Sequence, residues 1–320
     1  MNIVKHLKTL FFFAFLLSSG ALFSQQAPQF TQYGSTIVFM NPGYSGMGQG
    51  ICANGVVRQQ WAGFQDADGN NVAPQDFLVS VDAPVTMFHG GIGGAILQDK
   101  LGFENNIGLI LGYSYHLDTP WGLLGIGGAL NLTNRTIDFS KFKPVETNDP
   151  ALLSAKQGDL LVDGNLGIFL KSNRNFFVGL SATNIFENTG KNLNTSGNAL
   201  YYQTDRTYYL LVGTSILLPN HPQFEIVPSI LIQSDIASTQ YNFSAVVNYK
   251  SKFWGGINYR FQESFGFMVG VTFAGFRFGY SYDLPTLPVG LAGSHEISLG
   301  YCFKIKTDKA RTSYKNTRFL

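Results

Sequence analysis

Apolar and polar residues alternate with a period of two over run after run of this chain. In the last such run, His295, Ile297, Leu299, Tyr301 and Phe303 form one row, and Ser294, Glu296, Ser298, Gly300 and Cys302 the other. Successive side chains of a strand point to opposite faces, so this run makes an oily, aromatic face and a small, polar one. The same split recurs in Tyr241–Lys250, Phe276–Asp283 and Phe224–Gln233. The pattern predicts fourteen strands at roughly 51–61, 74–82, 88–98, 104–116, 121–134, 157–171, 175–183, 204–218, 223–232, 240–250, 253–261, 264–273, 276–283 and 294–305. Predicted connections after odd strands span about 12, 5, 22, 20, 7, 2 and 10 residues, and those after even strands about 5, 4, 3, 4, 2 and 2. Long external loops alternating with short periplasmic turns are the signature of an outer-membrane barrel. The tight Gln262-Glu263 turn is the one break in that alternation.

No later segment holds the run of about 18 consecutive apolar residues that a membrane-crossing helix needs. Strands remain, and in lipid every backbone polar group must be satisfied within the sheet, so the strands must close on themselves with the oily face outward. A water-soluble sandwich or small barrel would turn the same faces the other way. Two features argue against it. Fourteen strands are too many for one small barrel, and the polar rows carry too little charge to coat a soluble surface. Gly90, Gly91, Gly93, Gly94, Gly125, Gly127 and Gly128 stand where such a surface would carry Lys and Glu. The predicted fold is therefore all-β, a transmembrane antiparallel barrel of about fourteen strands with an N-terminal plug-like segment.

Composition agrees: 36 Gly, 28 Phe and 15 Tyr accompany only 13% charged residues, which excludes a disordered chain. The N-terminus reads as a secretory signal peptide over 1–24. Lys5 and Lys8 precede the apolar run Leu10 to Leu17, and Ala21-Leu22-Phe23-Ser24 offers small residues for cleavage before Gln25. The alternative, a membrane anchor, suffers from the short apolar run. No Cys follows the cut, which argues against a lipoprotein. Losing Lys5 and Lys8 leaves basic and acidic residues in balance, so nucleic acid is a poor partner. The charge is uneven, however. The chain after Phe303 holds Lys304, Lys306, Lys309, Arg311, Lys315 and Arg318 against Asp308 alone. Residues 306–320 thus form a basic tail, and Lys306, Lys309, Arg311, Lys315 and Arg318 are candidates for periplasmic docking.

Candidate chemistry is sparse. His89, His116, His221 and His295 lie far from one another and from carboxylates at metal spacing, and they read as interfacial polar residues. No nucleophile, base and acid assemble into a triad. GIGGAI and GIGGAL resemble phosphate loops superficially, but they lie inside strands with no helix after them, so their glycines serve close packing or lumen space. Asp66-Ala67-Asp68-Gly69-Asn70 looks like half a calcium loop, yet Phe77 stands where an EF-hand needs its Glu, and a plain external turn is the simpler reading. The sequence predicts no cofactor, no metal and no enzyme.

Residues 25–50 precede the first strand and carry Phe30, Tyr33, Ile37, Val38, Phe39, Met40 and Tyr44, too many apolar groups for a free tail. A barrel this wide needs filling or conducts. Tyr33, Asn41, Pro42, Gly43, Arg58, Gln60, Asp163, Arg260 and Arg277 are the candidates for lining the lumen or pinning a plug at the periplasmic mouth, with Lys171 beside them. A disordered leader is the alternative. Cys52 and Cys302 are the only cysteines. Both fall on the inward face, at the same end of the first and last strands, which are neighbours in a closed barrel. In the oxidising periplasm they are a candidate disulfide, the alternative being two free buried thiols offset by barrel shear.

Several stretches together resemble the PorP/SprF family over residues 25 to about 305. They are the Gln-rich start, Tyr33, Asn41-Pro42-Gly43-Tyr44-Ser45-Gly46, Arg58-Gln59-Gln60-Trp61-Ala62-Gly63, Ser80, Pro84, the Gly-rich strand before Asp99 and Gly102, and Ser294-His295-Glu296-Ile297-Ser298-Leu299. Gly43 stands where many relatives have Ala. The resemblance implies an outer-membrane component of the type IX secretion and gliding-motility apparatus. It implies a role in secretion or surface attachment of a large adhesin-like protein, and association with periplasmic secretion or motor components. The last aromatic strand suits engagement by an outer-membrane assembly machine, although the chain runs on past Phe303. The resulting expectation is a signal peptide (1–24), a periplasmic or plug segment (25–50), a barrel (51–305) embedded in outer-membrane lipid, and a tail (306–320), with both termini periplasmic. A porin-like channel for passive or substrate-specific transport is the alternative function.

Overall fold

The computed structural model describes residues 27–48, 50–142, 155–193, 202–286 and 292–304. Fourteen antiparallel strands form one closed sheet. They are β1 (Gly50–Gln59), β2 (Gln75–Val85), β3 (Gly90–Leu101), β4 (Glu104–Thr119), β5 (Gly122–Asp138), β6 (Lys156–Ser172), β7 (Phe176–Thr183), β8 (Thr207–Thr214 continued by Ile216–Leu218), β9 (His221–Ser234), β10 (Thr239–Tyr249), β11 (Phe253–Arg260), β12 (Ser264–Phe273), β13 (Phe276–Pro285) and β14 (Ser294–Lys304). Each strand pairs with its neighbours in sequence, and β1 closes the ring against β14, with Cys52 opposite Cys302 and Arg58 opposite Glu296. Among the described residues no helix is long and apolar enough to cross a membrane.

The two rows of each strand go to opposite sides of the wall. Ile92, Leu111, Leu166, Ile257, Phe267 and Ile297 face outward and are exposed. Asn54, Ser80, Ser114, Asn165, Asn242 and Ser281 face inward and are buried. Phe88, Trp121, Phe253, Phe273 and Phe303 crowd the end where the short turns lie, as an interfacial aromatic girdle does. Several connections are shorter than expected, among them those between β3 and β4, β5 and β6, and β9 and β10. β3 and β4 run on to Leu101 and Glu104, so only Gly102 and Phe103 join them at the long-loop end. β4, β5 and β6 span 16, 17 and 17 residues. A tilted strand crosses a bilayer in about 9–11 residues, so this side of the wall stands well clear of the hydrocarbon.

The inward surface is not uniformly polar. Phe169, Phe177, Tyr209, Leu211, Val227 and Leu231 project into the lumen and pack against Tyr33, Ile37, Val38, Met40, Tyr44 and Met47 of the segment before β1. Phe30 packs against Val56, Leu78, Ala95 and Ile110 on another wall. Burial of side chains of this size contributes about 1.5–3 kcal/mol each. The segment itself is irregular, with single turns at Tyr33–Ser35, Ile37–Met40 and Pro42–Tyr44.

Candidate functional site in the barrel lumen

The segment before β1 crosses most of the lumen. At the long-loop end of β9, Gln233 Nε2 donates to Ala27 O at 3.0 Å. Four residues further on lies a buried charge network. Arg58 of β1 donates through Nη1 to Asp283 Oδ2 of β13 at 2.7 Å and to Glu296 Oε2 of β14 at 3.2 Å. Glu296 accepts from the Thr31 and Gln32 backbone N–H groups at 2.9 and 2.7 Å. The Thr31 hydroxyl donates to Asp283 Oδ2 at 2.7 Å and accepts from Arg58 Nη1 at 3.1 Å and Arg260 Nη2 at 3.4 Å. Arg260 also donates to Glu263 at 2.7 Å. Arg58, Arg260 and Glu296 are each no more than 2% exposed, so each charge depends on its partners for the solvation it has lost. Deeper in, Tyr33 Oη lies 2.7 Å from Ser229 Oγ, and burial pushes this phenol up to about 12, so it stays protonated.

Toward the short-turn end the segment lies flat on the wall. Glycine permits this on three strands, β3, β5 and β6. A Cβ on Gly127 would stand 2.6 Å from Gly43 N, one on Gly93 2.9 Å from Ser45 Cβ, and one on Gly167 2.9 Å from Pro42 Cδ. Gly91 and Gly125 are equally crowded, by Gly46 and Gly43. The close approach is converted into hydrogen bonds. Asn41 Nδ2 donates to Ile168 O and Leu180 O at 3.0 and 3.3 Å, and its Oδ1 accepts from Gly43 N at 2.9 Å. Ser181 donates to Met40 O and Ser114 to Gly43 O, both at 2.8 Å. His116 Nε2 pairs with Ser45 O at 3.0 Å, and Gly46 N–H donates to Asp82 at 2.9 Å. Gly46 sits at φ 73°, where the chain swings toward β1.

Tyr33, Asn41, Pro42, Gly43, Arg58 and Arg260 thus share one continuous contact surface. Other expected positions do not join it. Gln60 lies one residue past β1, its backbone N–H bonded to Pro74 O at the rim. Asp163 holds a long loop instead, accepting from Phe186 N and Thr204 Oγ1 at 2.8 and 3.0 Å. Arg277 stacks over the Trp254 ring at 4.2 Å. Lys171 is buried on the inward face of β6. His116 departs from its interfacial reading, because its ring faces the lumen. The Asp66 loop closes on itself, its carboxylate accepting from Asp68 N and Asn70 N, and the described residues contain no metal-ligand cluster. Cys52 and Cys302 face each other across the seam with Cα atoms 4.1 Å apart, and their sulfurs are joined. Lys306, Lys309, Arg311, Lys315 and Arg318 lie outside the described residues. Sequence reasoning missed Thr31, Asp283 and Glu296 as a unit, and missed the inward Phe169, Phe177 and Leu211. The inward glycines were the available signal, since they marked where another backbone approaches.

Comparison with known proteins places this geometry. A family model described as type IX secretion system membrane protein PorP/SprF matches residues 22–301. Among solved structures, the Ralstonia pickettii toluene transporter TbuX aligns at TM-score 0.50 and 14% identity, over 85% of this chain and 94% of that one. A Pseudomonas aeruginosa FadL homologue aligns at 0.49 and 11%, over 84% and 94%. Acinetobacter baumannii Omp33 aligns at 0.46 and 8%, over 79% and 98%. At such identities the likeness is one of fold. No curated protein matches the sequence. The chain belongs to the PorP/SprF family of type IX secretion system membrane proteins and is an integral outer-membrane β-barrel.

Proposed function

We propose that this barrel is a non-enzymatic, non-conducting component of the type IX secretion apparatus, and that it assists secretion or surface anchoring of a large adhesin-like protein. The observation that carries the reading is the lumen filled by the chain's own segment. A charge network holds that segment at one end and a glycine seat holds it at the other. A pore built for flux has little use for a segment of its own chain bonded into its passage. In this reading residues 25–50 are a plug, the short-turn end faces the periplasm as in other outer-membrane barrels, and β14 delivers the basic tail to that side. The plug differs from a periplasmic cap, because Ala27 sits in the long-loop half. Planar-bilayer recordings test the plug: the full chain stays closed, and a variant lacking residues 25–48 conducts. Equal conductance in the two proteins removes it. Deletion of the gene tests the role: adhesin-like cargo disappears from the cell surface, and unchanged surface display overturns the proposal.

The fold shared with TbuX, described as a toluene transporter, supports the competing porin-like reading. That reading calls for conductance or solute uptake through the intact protein.

A further inference from the structure

Above the segment, on the long-loop side, the lumen widens into a vestibule of about 230 Å³ bounded by the raised walls of β3 to β8. We propose that this vestibule binds a neutral saccharide entering from the long-loop mouth. The argument begins with polar atoms left over after the internal bonds are made. Asn165 is 2% exposed; its Oδ1 accepts from Asn184 N, while its Nδ2 has no partner among the described residues. Arg135 spends Nη2 on Glu104 at 2.6 Å and lies 3.4 Å over the Tyr202 ring, and its buried Nε has no hydrogen-bond partner among the described residues. Asn106 donates to Glu104 at 2.7 Å while its Oδ1 has no donor among the described residues. Unmatched donors and an unmatched acceptor line one space. Buried polar groups of both kinds call for a ligand that donates and accepts at short intervals, which hydroxyl groups do.

Charge and topology narrow the class. Asp99, Glu104 and Asp205 line the vestibule with Arg135 as the sole cation of its described lining. Burial first, and then Asp235 and Glu187 nearby, hold the Asp205 carboxyl above the usual range. An anionic polymer is therefore disfavoured. An extended peptide is disfavoured for a different reason: the sheet is closed, so it offers no free strand edge for backbone pairing. What remains are planar amide, carboxylate and guanidinium groups, suited to vicinal hydroxyls, with Phe39 on the floor. The assignment does not depend on whether the segment blocks conductance.

Isothermal titration of the detergent-solubilised full chain tests it. The probes are maltotriose, mannotriose and chitotriose, with trigalacturonate, tri-lysine and tri-asparagine as controls. At least one neutral trisaccharide binds, the controls bind more weakly, and Asn165→Leu and Asp205→Asn each weaken binding roughly tenfold, about 1.4 kcal/mol. Asp205→Asn preserves shape in a loop, so it reports even if Asn165→Leu fails to fold. No binding to any of the three sugars, equal or tighter binding of a control, or sugar binding unaffected by Asp205→Asn overturns the proposal.

Discussion

Arg58 is the residue on which the long-loop half of the lumen converges. Its guanidinium reaches Asp283, Glu296 and Thr31 at once, which a flexible lysine ammonium does not reproduce. Arg58→Met removes the cation and leaves two carboxylates buried. Breaking a buried pair in this way costs about 3–5 kcal/mol. The heat- or urea-unfolding midpoint of the solubilised barrel should fall accordingly, and Arg58→Met combined with Glu296→Gln should recover part of the loss. An unchanged midpoint would show that the network contributes nothing to the fold. Gly127 is the counterpart at the other end. In Gly127→Val the new side chain meets Gly43 backbone, 2.6 Å from Cβ to N, and backbone held by its own hydrogen bonds cannot yield cheaply. Chymotrypsin should then cut after Phe39 or Tyr44 in the folded variant and spare the parent protein. Resistance of both would refute the seating argument.

At the scale of elements, the seam between β1 and β14 is where the sheet has to be joined across almost the whole chain. The two cysteines are 250 residues apart in sequence and directly opposed in register. In the chain-entropy model, a cross-link closing so long a loop stabilises by roughly 4–5 kcal/mol. We expect protein unfolded without reductant to show no reactive thiol, and reduced protein to unfold at lower denaturant. Two labelled thiols per unreduced chain would end this expectation. The segment and the strands also depend on each other. Phe169, Phe177 and Leu211 face a lumen that would be wet without Tyr33, Ile37 and Met40, so the barrel lacking residues 25–48 should be less stable as well as conducting.

At the scale of the whole molecule, charge is segregated. The basic chain end beyond Phe303 is balanced by a matching acidic excess over residues 25–303. β14 ends at the short-turn rim, so the tail starts there. If it docks on an acidic periplasmic component, binding weakens with salt, because exposed charge pairs are screened within about 8–10 Å at ordinary ionic strength. Pull-downs from cells carrying a chain truncated after Lys304 should lose periplasmic secretion components that the full chain retains. Recovery of the same set would assign the tail to assembly alone.

Strand number, facing and the neighbourhood of the first and last strands were legible in the sequence. They follow from a local rule, because a period of two over ten residues already decides which side of a sheet each side chain takes. The meeting of Cys52 and Cys302 could be anticipated from closure and the short-turn end they share. The path of residues 27–48 could not. Thr31 bonds residues 252 and 265 positions away, and no periodicity carries that separation. Composition marked the segment as too apolar to be free, and the inward glycines marked a wall with room for a backbone. Only the tertiary structure matched them, ran the segment up to the long-loop half, and turned inward Arg, Asp and Glu into one buried network. The physical reason is that lumen occupancy is decided by complementarity between distant surfaces, whereas strand facing is decided by the geometry of adjacent residues.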